Sequence, residues 1–95
     1  MDWNKPEKQR LLQAMLALKT EDEAARFLRD LLTKSEIEEF ANRLAAAEML
    51  AAGKSYTTVQ KATGLSSTTV ARVAKWLRGK EGGYRTILAR LKESS

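Results

Sequence analysis

The side chains that most often carry catalysis and bind metals are missing from this sequence. It contains neither histidine nor cysteine, so the commonest general base, the commonest metal ligand and any thiolate site are absent. The clustered carboxylates are Glu36, Glu38, Glu39 and Glu48. The first three lie where helix capping and the helix dipole favour acidic residues. We therefore expect a protein that is not an enzyme, with no catalytic residues, no metal and no cofactor.

The basic residues indicate a different chemistry, namely the binding of a polyanion. The stretch from Met49 to Lys80 contains no Asp or Glu, and its six basic residues are Lys54, Lys61, Arg72, Lys75, Arg78 and Lys80. Of the 17 basic residues in the chain, the other eleven face twelve acidic ones. Contacts of Lys and Arg with phosphates release condensed counterions, so this basic block favours a nucleic-acid partner. The alternative is a solvated basic face on an ordinary helical domain.

The same stretch has the residue spacing of a helix-turn-helix. Val59 would lie inside the first helix, and Gly64 would adopt a positive φ in the turn. Val70 and Val73 would then pack the second helix against the first. Gln60 stands where two closely approaching helices usually have Ala or Gly, so we expect a looser crossing or an outward side chain there.

The second of these helices would read duplex DNA. Its exposed start carries short hydroxyl side chains that can approach phosphates and base edges closely. Ala71 could contact a thymine methyl group, and Arg72 could bond guanine in a bidentate manner. The predicted DNA-binding residues are Lys54, Thr57, Thr58, Lys61, Ser66, Ser67, Thr68, Thr69, Ala71, Arg72, Lys75, Arg78 and Lys80.

Helical periodicity predicts the elements that position these residues. No segment alternates like a strand, so we predict an all-α fold of about six helices. Helix ends are marked by a proline, two capping boxes and a glycine: Pro6, Thr20 with Glu23, Thr33 with Glu36, and Gly53. The main stripe of the third helix is predicted at Ile37, Phe40, Ala41, Leu44, Ala47, Glu48 and Ala51.

The length and hydropathy of the chain restrict its organisation and location. Ninety-five residues allow one small domain, residues 1–95. No apolar run approaches the length of a membrane span, and the polar N-terminal residues do not resemble a signal peptide. We therefore expect no membrane partner and a cytoplasmic location.

Four stretches of the sequence resemble the Trp repressor superfamily, and most closely its YerC/YecD branch. They are LKTEDEAARFLRDLLT, GKSY, TGLSSTTVARV and GGYRTILARL, and the likeness covers residues 18–92. This resemblance implies an intertwined homodimer, with dimerisation helices in residues 1–53, a helix-turn-helix in residues 54–79 and a C-terminal dimerisation helix in residues 82–93. It also implies a bacterial transcriptional regulator that binds specific double-stranded DNA sequences, with repression as the expected effect.

The resemblance also points to a candidate effector pocket. The repressor of this family holds free tryptophan between two arginines, which Arg43 and Arg72 match, and Thr33 matches a neighbouring pocket residue. Val73 replaces a glycine on which the ligand's indole lies, and Trp76 replaces a small serine. These two larger side chains lead us to expect no tryptophan corepressor, although the two arginines could hold another anion. The structural alternatives are an ion pair of Arg43 within its own helix and core packing of Trp76.

One other class of function fits the composition. A helical protein-interaction module could use the basic face to bind an acidic protein partner.

The dimer has some independent support, because the first forty residues carry more apolar surface than a small scaffold easily buries alone. These apolar residues are Leu11, Leu12, Leu16, Phe27, Leu28, Leu31, Leu32, Ile37 and Phe40.

Overall fold

A computed structural model describes residues 1–94, which form six α-helices. The helices are α1 (Pro6–Ala17), α2 (Glu21–Leu31), α3 (Lys34–Ala51), α4 (Tyr56–Thr63), α5 (Ser67–Arg78) and α6 (Gly83–Ser94). Residues 1–94 contain no strand, so the predicted all-α fold is confirmed. In the same range no helix combines the length and the apolar character needed to cross a membrane.

Local hydrogen bonds explain where α2 and α3 begin. At α2 the Thr20 hydroxyl accepts a bond from the Glu23 N–H at 3.1 Å, while the Glu23 carboxylate accepts from the Lys19 N–H at 2.9 Å. At α3 the capping box is complete, because Thr33 and Glu36 each donate a backbone N–H to the other's side chain, at 2.9 and 3.1 Å. Hydrogen bonding to the Glu36 carboxylate, mainly by the Thr33 backbone N–H and secondly by the Thr33 side chain, lowers the pKa of that carboxyl. Both predicted caps are thus confirmed.

Contacts within the chain divide it into two compact units, residues 1–37 and residues 38 onward. The first unit contains α1, α2 and the start of α3. Pro6 occupies the first turn of α1, as predicted. Neither α1 nor α2 has a buried residue, and the Leu16 side chain is 86% exposed. Four further large apolar side chains of these helices are between 40% and 49% exposed: Leu11, Leu12, Met15 and Leu31.

The second unit contains the buried core, to which α3, α4 and α5 contribute. The core residues are Ala46, Ala47, Leu50, Val59, Leu65, Val70, Val73, Ala74 and Leu77. Three partly buried residues pack against them, and two of these, Tyr84 and Leu88, belong to α6. The core therefore holds the C-terminal half of α3 together with the three helices that follow it.

The predicted main stripe of α3 is partly wrong. Ala47 is buried as predicted, but Phe40 is 45% exposed and Ala41 and Ala51 are also exposed. The residues buried beside Ala47 are Ala46 and Leu50. The reason is tertiary: the later helices cover one face of α3, whereas the stripe read from its apolar periodicity lies on a neighbouring face that this single chain leaves open.

Candidate nucleic-acid interface

Helices α4 and α5 pack against each other through a three-residue turn, which gives the predicted helix-turn-helix. Gly64 ends α4 in the left-handed region, with φ at 74°, and its N–H donates to the Gln60 carbonyl at 2.8 Å. The Thr63 hydroxyl donates to the Val59 carbonyl at 2.8 Å and accepts from the Leu65 N–H at 3.3 Å. Because Leu65 is buried, the chain direction after the turn is determined on both sides of Gly64.

The crossing of these helices accommodates Gln60 without burying it. Gln60 is half-buried. Its neighbour Val59 is fully buried and makes the contact with the core. The glutamine at this position therefore leaves the helix-turn-helix intact.

Both helices of the motif begin with hydroxyl caps. The Ser55 hydroxyl accepts from the Thr58 N–H at 3.1 Å and donates to the Thr58 hydroxyl at 2.9 Å. Ser66 and Thr69 repeat this arrangement at 3.1 and 3.0 Å. Neither helix has an acidic residue in its first turn, whereas α2 and α3 both do. Since a helix N-terminus has a partial positive charge, these two ends are suited to face an anion.

The predicted DNA-binding residues share the surface of the motif. Thr69 is half-buried, and the other twelve are exposed: Lys54, Thr57, Thr58, Lys61, Ser66, Ser67, Thr68, Ala71, Arg72, Lys75, Arg78 and Lys80. On α5, steps of three, one and three residues place the following side chains on one face: Thr68, Ala71, Arg72 and Lys75. The opposite face of α5 is buried through Val70, Val73, Ala74 and Leu77. The core thus directs one complete face of α5 to the outside.

The residues of the candidate effector pocket occupy different environments. Thr33 lies in the first unit and caps α3. In the second unit Val73 is fully buried in the core, while Arg72, next to it, is exposed. Trp76 is 50% exposed, so the expectation that it packs in the core is wrong for the single chain. Its indole instead lines an open cavity of about 620 Å³, whose other walls include Tyr84 of α6.

Arg43 lies in a smaller cavity of about 280 Å³ that Phe40, Leu44 and Tyr84 also line. Its guanidinium is 3.3 Å from the Glu39 carboxylate, so the expected ion pair within α3 is confirmed. The same group lies 5.6 Å from the centre of the Phe40 ring. Its Nε atom is buried and has no hydrogen-bond partner. Burial raises the pKa of the Tyr84 hydroxyl, and the positive charge of Arg43 opposes this effect.

The sequence had not indicated a role at this site for three side chains of this region. Thr63 bridges the turn, and a hydroxyl residue just before the turn glycine was the available signal. Tyr84 packs against the core and lines both cavities. Arg85 donates from Nη1 to the carbonyl of Leu77 at 2.6 Å. No local sequence pattern predicts that hydrogen bond, because it joins α6 to α5 across a loop.

Taken together, the fold and this surface define an all-helical protein of the helix-turn-helix class with an acid-free basic face. Comparison with known families makes the assignment more specific. The model of the Trp repressor protein family matches residues 7–92, and this chain belongs to that family.

Individual relatives agree with the assignment. The chain is 38% identical over 84 residues to YerC, an uncharacterized protein of Bacillus subtilis (strain 168), with 88% of this chain and 81% of that protein covered. A crystal structure of a TrpR-like protein from Eubacterium eligens superposes with a TM-score of 0.87 at 34% identity, covering 95% of this chain and 93% of the other. The crystal structure of a second protein, from Staphylococcus aureus, superposes with a TM-score of 0.88 at 30% identity, covering 97% of this chain and 95% of the other. The resemblance to the YerC-like branch is thereby confirmed.

Proposed function

We propose that this protein is a transcriptional regulator that binds specific sequences of double-stranded DNA as a homodimer and acts as a repressor. The observation that carries the proposal is the exposed face of α5, which combines Thr68, Ala71, Arg72 and Lys75 within an acid-free stretch. Membership of the Trp repressor family supports the same conclusion. As a bacterial regulator of this kind, the protein would act in the cytoplasm.

Different residues of the motif have different tasks in this proposal. Thr68, Ala71 and Arg72 lie near the start of α5 and contact base edges in the major groove. Lys54, at the start of the motif, and Lys80, just after α5, bind phosphates, as do the hydroxyl-capped helix ends. Base contacts supply specificity, whereas phosphate contacts supply register and most of the salt dependence.

The homodimer is proposed from the uncovered apolar surface. Several large side chains of α1 and α2 are exposed, Leu16 most of all, and Ile87 and Leu91 of α6 are each 46% exposed. Apolar surface of this extent usually marks an interface between proteins. We assign residues 1–53 and 82–93 to dimerisation and residues 54–79 to the helix-turn-helix. Two reading helices related by a two-fold axis would then contact successive major grooves roughly 34 Å apart.

Free tryptophan is not part of the proposed mechanism. A tryptophan slot between Arg43 and Arg72 would need space at position 73, where a fully buried valine belongs to the core. Trp76 is the second substitution: an indole stands where the family's repressor has a small serine, and it lines a cavity beside Tyr84. The two substitutions therefore support a regulator whose DNA binding does not depend on the amino acid.

The test is to select bound duplexes from a random library and then to measure affinity for the selected site at several salt concentrations. We expect the logarithm of affinity to fall linearly with the logarithm of salt, by about 0.9 per phosphate contact. Thr68→Ala and Arg72→Ala should relax sequence preference at defined base pairs, by about 1–3 kcal/mol. Lys80→Ala should weaken all duplexes equally and reduce the salt slope by about one per subunit.

Three kinds of result would contradict the proposal. If no duplex binds, or if binding is independent of salt, the basic face does not contact phosphates and an acidic protein partner becomes the better explanation. If Thr68→Ala and Lys80→Ala have the same effect on every duplex, α5 is not the reading helix. A monomer at micromolar concentration in analytical ultracentrifugation would refute the homodimer.

A further inference from the structure

Arg85 joins the last helix to the end of the helix assigned to DNA reading. The residue lies in the first turn of α6 and is exposed as a whole, but its Nη1 atom donates to the carbonyl of Leu77 at 2.6 Å in a partly buried bond. Leu77 is the penultimate residue of α5. The bond therefore crosses the loop of residues 79–82 and connects two helices that are packed side by side.

The acceptor of this bond is a carbonyl at the C-terminal end of a helix, where a positively charged donor is favoured. The last carbonyls of an α-helix lack an N–H partner within the helix and have a partial negative charge. At the end of α5 the Gly79 N–H turns back to the Trp76 carbonyl at 3.2 Å. The Leu77 carbonyl is met by the positively charged guanidinium of Arg85, and such charge-assisted bonds are the stronger ones.

The loop between the two helices passes close to this side chain. Gly82 has a φ of 71°, and a Cβ atom built there would lie 3.3 Å from Nη2 of Arg85. Gly79 is equally close-packed, because a Cβ atom there would lie 3.2 Å from the Lys75 carbonyl oxygen. Gly82 thus allows the loop to pass beside the guanidinium, and Gly79 allows it to leave α5 close to the backbone of that helix.

We infer that Arg85 is a positioning residue for DNA recognition, which fixes the orientation of α5 relative to α6. This inference rests on the proposed function, in which α5 reads DNA and α6 belongs to the dimer interface. Helix α6 would remain attached without Arg85, because Tyr84 and Leu88 also pack against the core. The arginine then determines the angle at which each α5 projects from the dimer, and so the half-site spacing that the dimer accepts.

The experiment compares three variants of the full chain on one series of duplexes. Arg85→Met removes the charge and the donors at similar length, and Arg85→Lys keeps the charge. Arg90→Met is the matched control, because it removes an exposed arginine from the same helix. The duplexes carry the half-sites selected by the wild-type protein, with the spacing between them changed by one or two base pairs in either direction.

We expect Arg85→Met to bind the preferred spacing about tenfold more weakly than the wild type and to lose most of its preference among spacings. Arg85→Lys should recover at least part of that preference, whereas Arg90→Met should keep it in full. A purely structural role would reduce binding to all spacings by the same factor. Circular dichroism at the assay temperature verifies that each variant is folded.

Hydrogen exchange without DNA provides a second readout, because the amides at the C-terminal end of α5 should exchange faster in Arg85→Met only. If the wild type binds DNA with a spacing preference and Arg85→Met keeps that preference, the inference is wrong and the proposed function stands. If the wild type binds no duplex, the proposed function fails, and the inference fails with it. Unchanged exchange in Arg85→Met would show that the bond to Leu77 does not hold α5, and would also overturn the inference.

Discussion

Replacing Val73 by alanine tests whether this residue belongs to the core or to an open ligand slot. The Val73 side chain is fully buried among core residues of α3, α4 and α5. The substitution deletes two carbon groups, each worth about 0.8 kcal/mol on transfer from water. A void of roughly 40 Å³ at about 24 cal/mol per Å³ adds about 1 kcal/mol. Better helix propensity of alanine returns about 0.5 kcal/mol, so the expected net loss is about 2 kcal/mol.

Urea denaturation followed by circular dichroism measures this loss at one fixed protein concentration, since the stability of a dimer depends on concentration. The control is Thr68→Ala, which also shortens a β-branched residue of α5 but at an exposed position. We expect that change to alter the free energy of unfolding by less than about 0.5 kcal/mol. If both variants lose the same amount, Val73 faces open space and our reason for excluding a tryptophan slot is wrong.

Three further predictions concern the ligand, the turn and a titrating group. L-tryptophan at millimolar concentration should show little binding in calorimetry and should leave DNA affinity unchanged; micromolar binding with tighter DNA association would contradict this. Gly64→Ala should destabilise the fold by about 1–2 kcal/mol, because φ is positive while the space around Gly64 is open; a neutral result in urea denaturation would show that the turn can rearrange. Arg43→Met should raise the pKa of Tyr84 further, since only the opposing charge is lost. An ultraviolet titration measures this shift when both proteins also carry Tyr56→Phe, which leaves Tyr84 as the one tyrosine of the sequence; an unchanged Tyr84 would show that the two groups do not interact.

The raised pKa of the Tyr84 hydroxyl also makes the stability of the folded protein depend on pH. Burial raises the pKa of this hydroxyl in the folded protein, so folding favours the neutral form. The contribution of Tyr84 to the free energy of unfolding is fully present below the pKa of an unfolded tyrosine. It is lost as the pH rises through the pKa of Tyr84 in the folded protein. Arg43→Met should therefore make the protein more sensitive to alkaline unfolding, as long as the core packing of Tyr84 is retained.

Features that depend on a few neighbouring residues could be predicted from the sequence. The caps at Thr20 and Thr33 and the positive φ at Gly53 and Gly64 are of this kind, because they depend on hydrogen bonds and steric limits within one or two turns. The helix-turn-helix could also be predicted from the sequence, because Val59, Gly64 and Val70 have the spacing of that motif.

Features that depend on distant parts of the chain could not be predicted in the same way. Helix α3 has two apolar faces, and only the folding back of α4 and α5 decides that Ala46 and Leu50 are buried while Phe40 is not. The exposure of Trp76 has a similar origin, since its type favours burial but α5 turns it away from the core of this chain. The bond from Arg85 to Leu77 depends on the path of a loop, which the side-chain pattern does not encode.

The hydroxyl caps of α4 and α5 have a consequence for the evolution and engineering of this protein. Glutamate at positions 58 and 69 would complete Ser-x-x-Glu capping boxes and favour the helix dipole, so a stability-driven design would introduce it. Each such change would also place a carboxylate at the end of a helix that we propose to face phosphate. Threonine at Thr58 and Thr69 keeps a hydroxyl partner for the capping serine without adding negative charge. We therefore expect that glutamate at these two positions raises thermal stability and lowers DNA affinity. Selection for heat resistance alone would then yield more stable proteins that bind DNA less tightly.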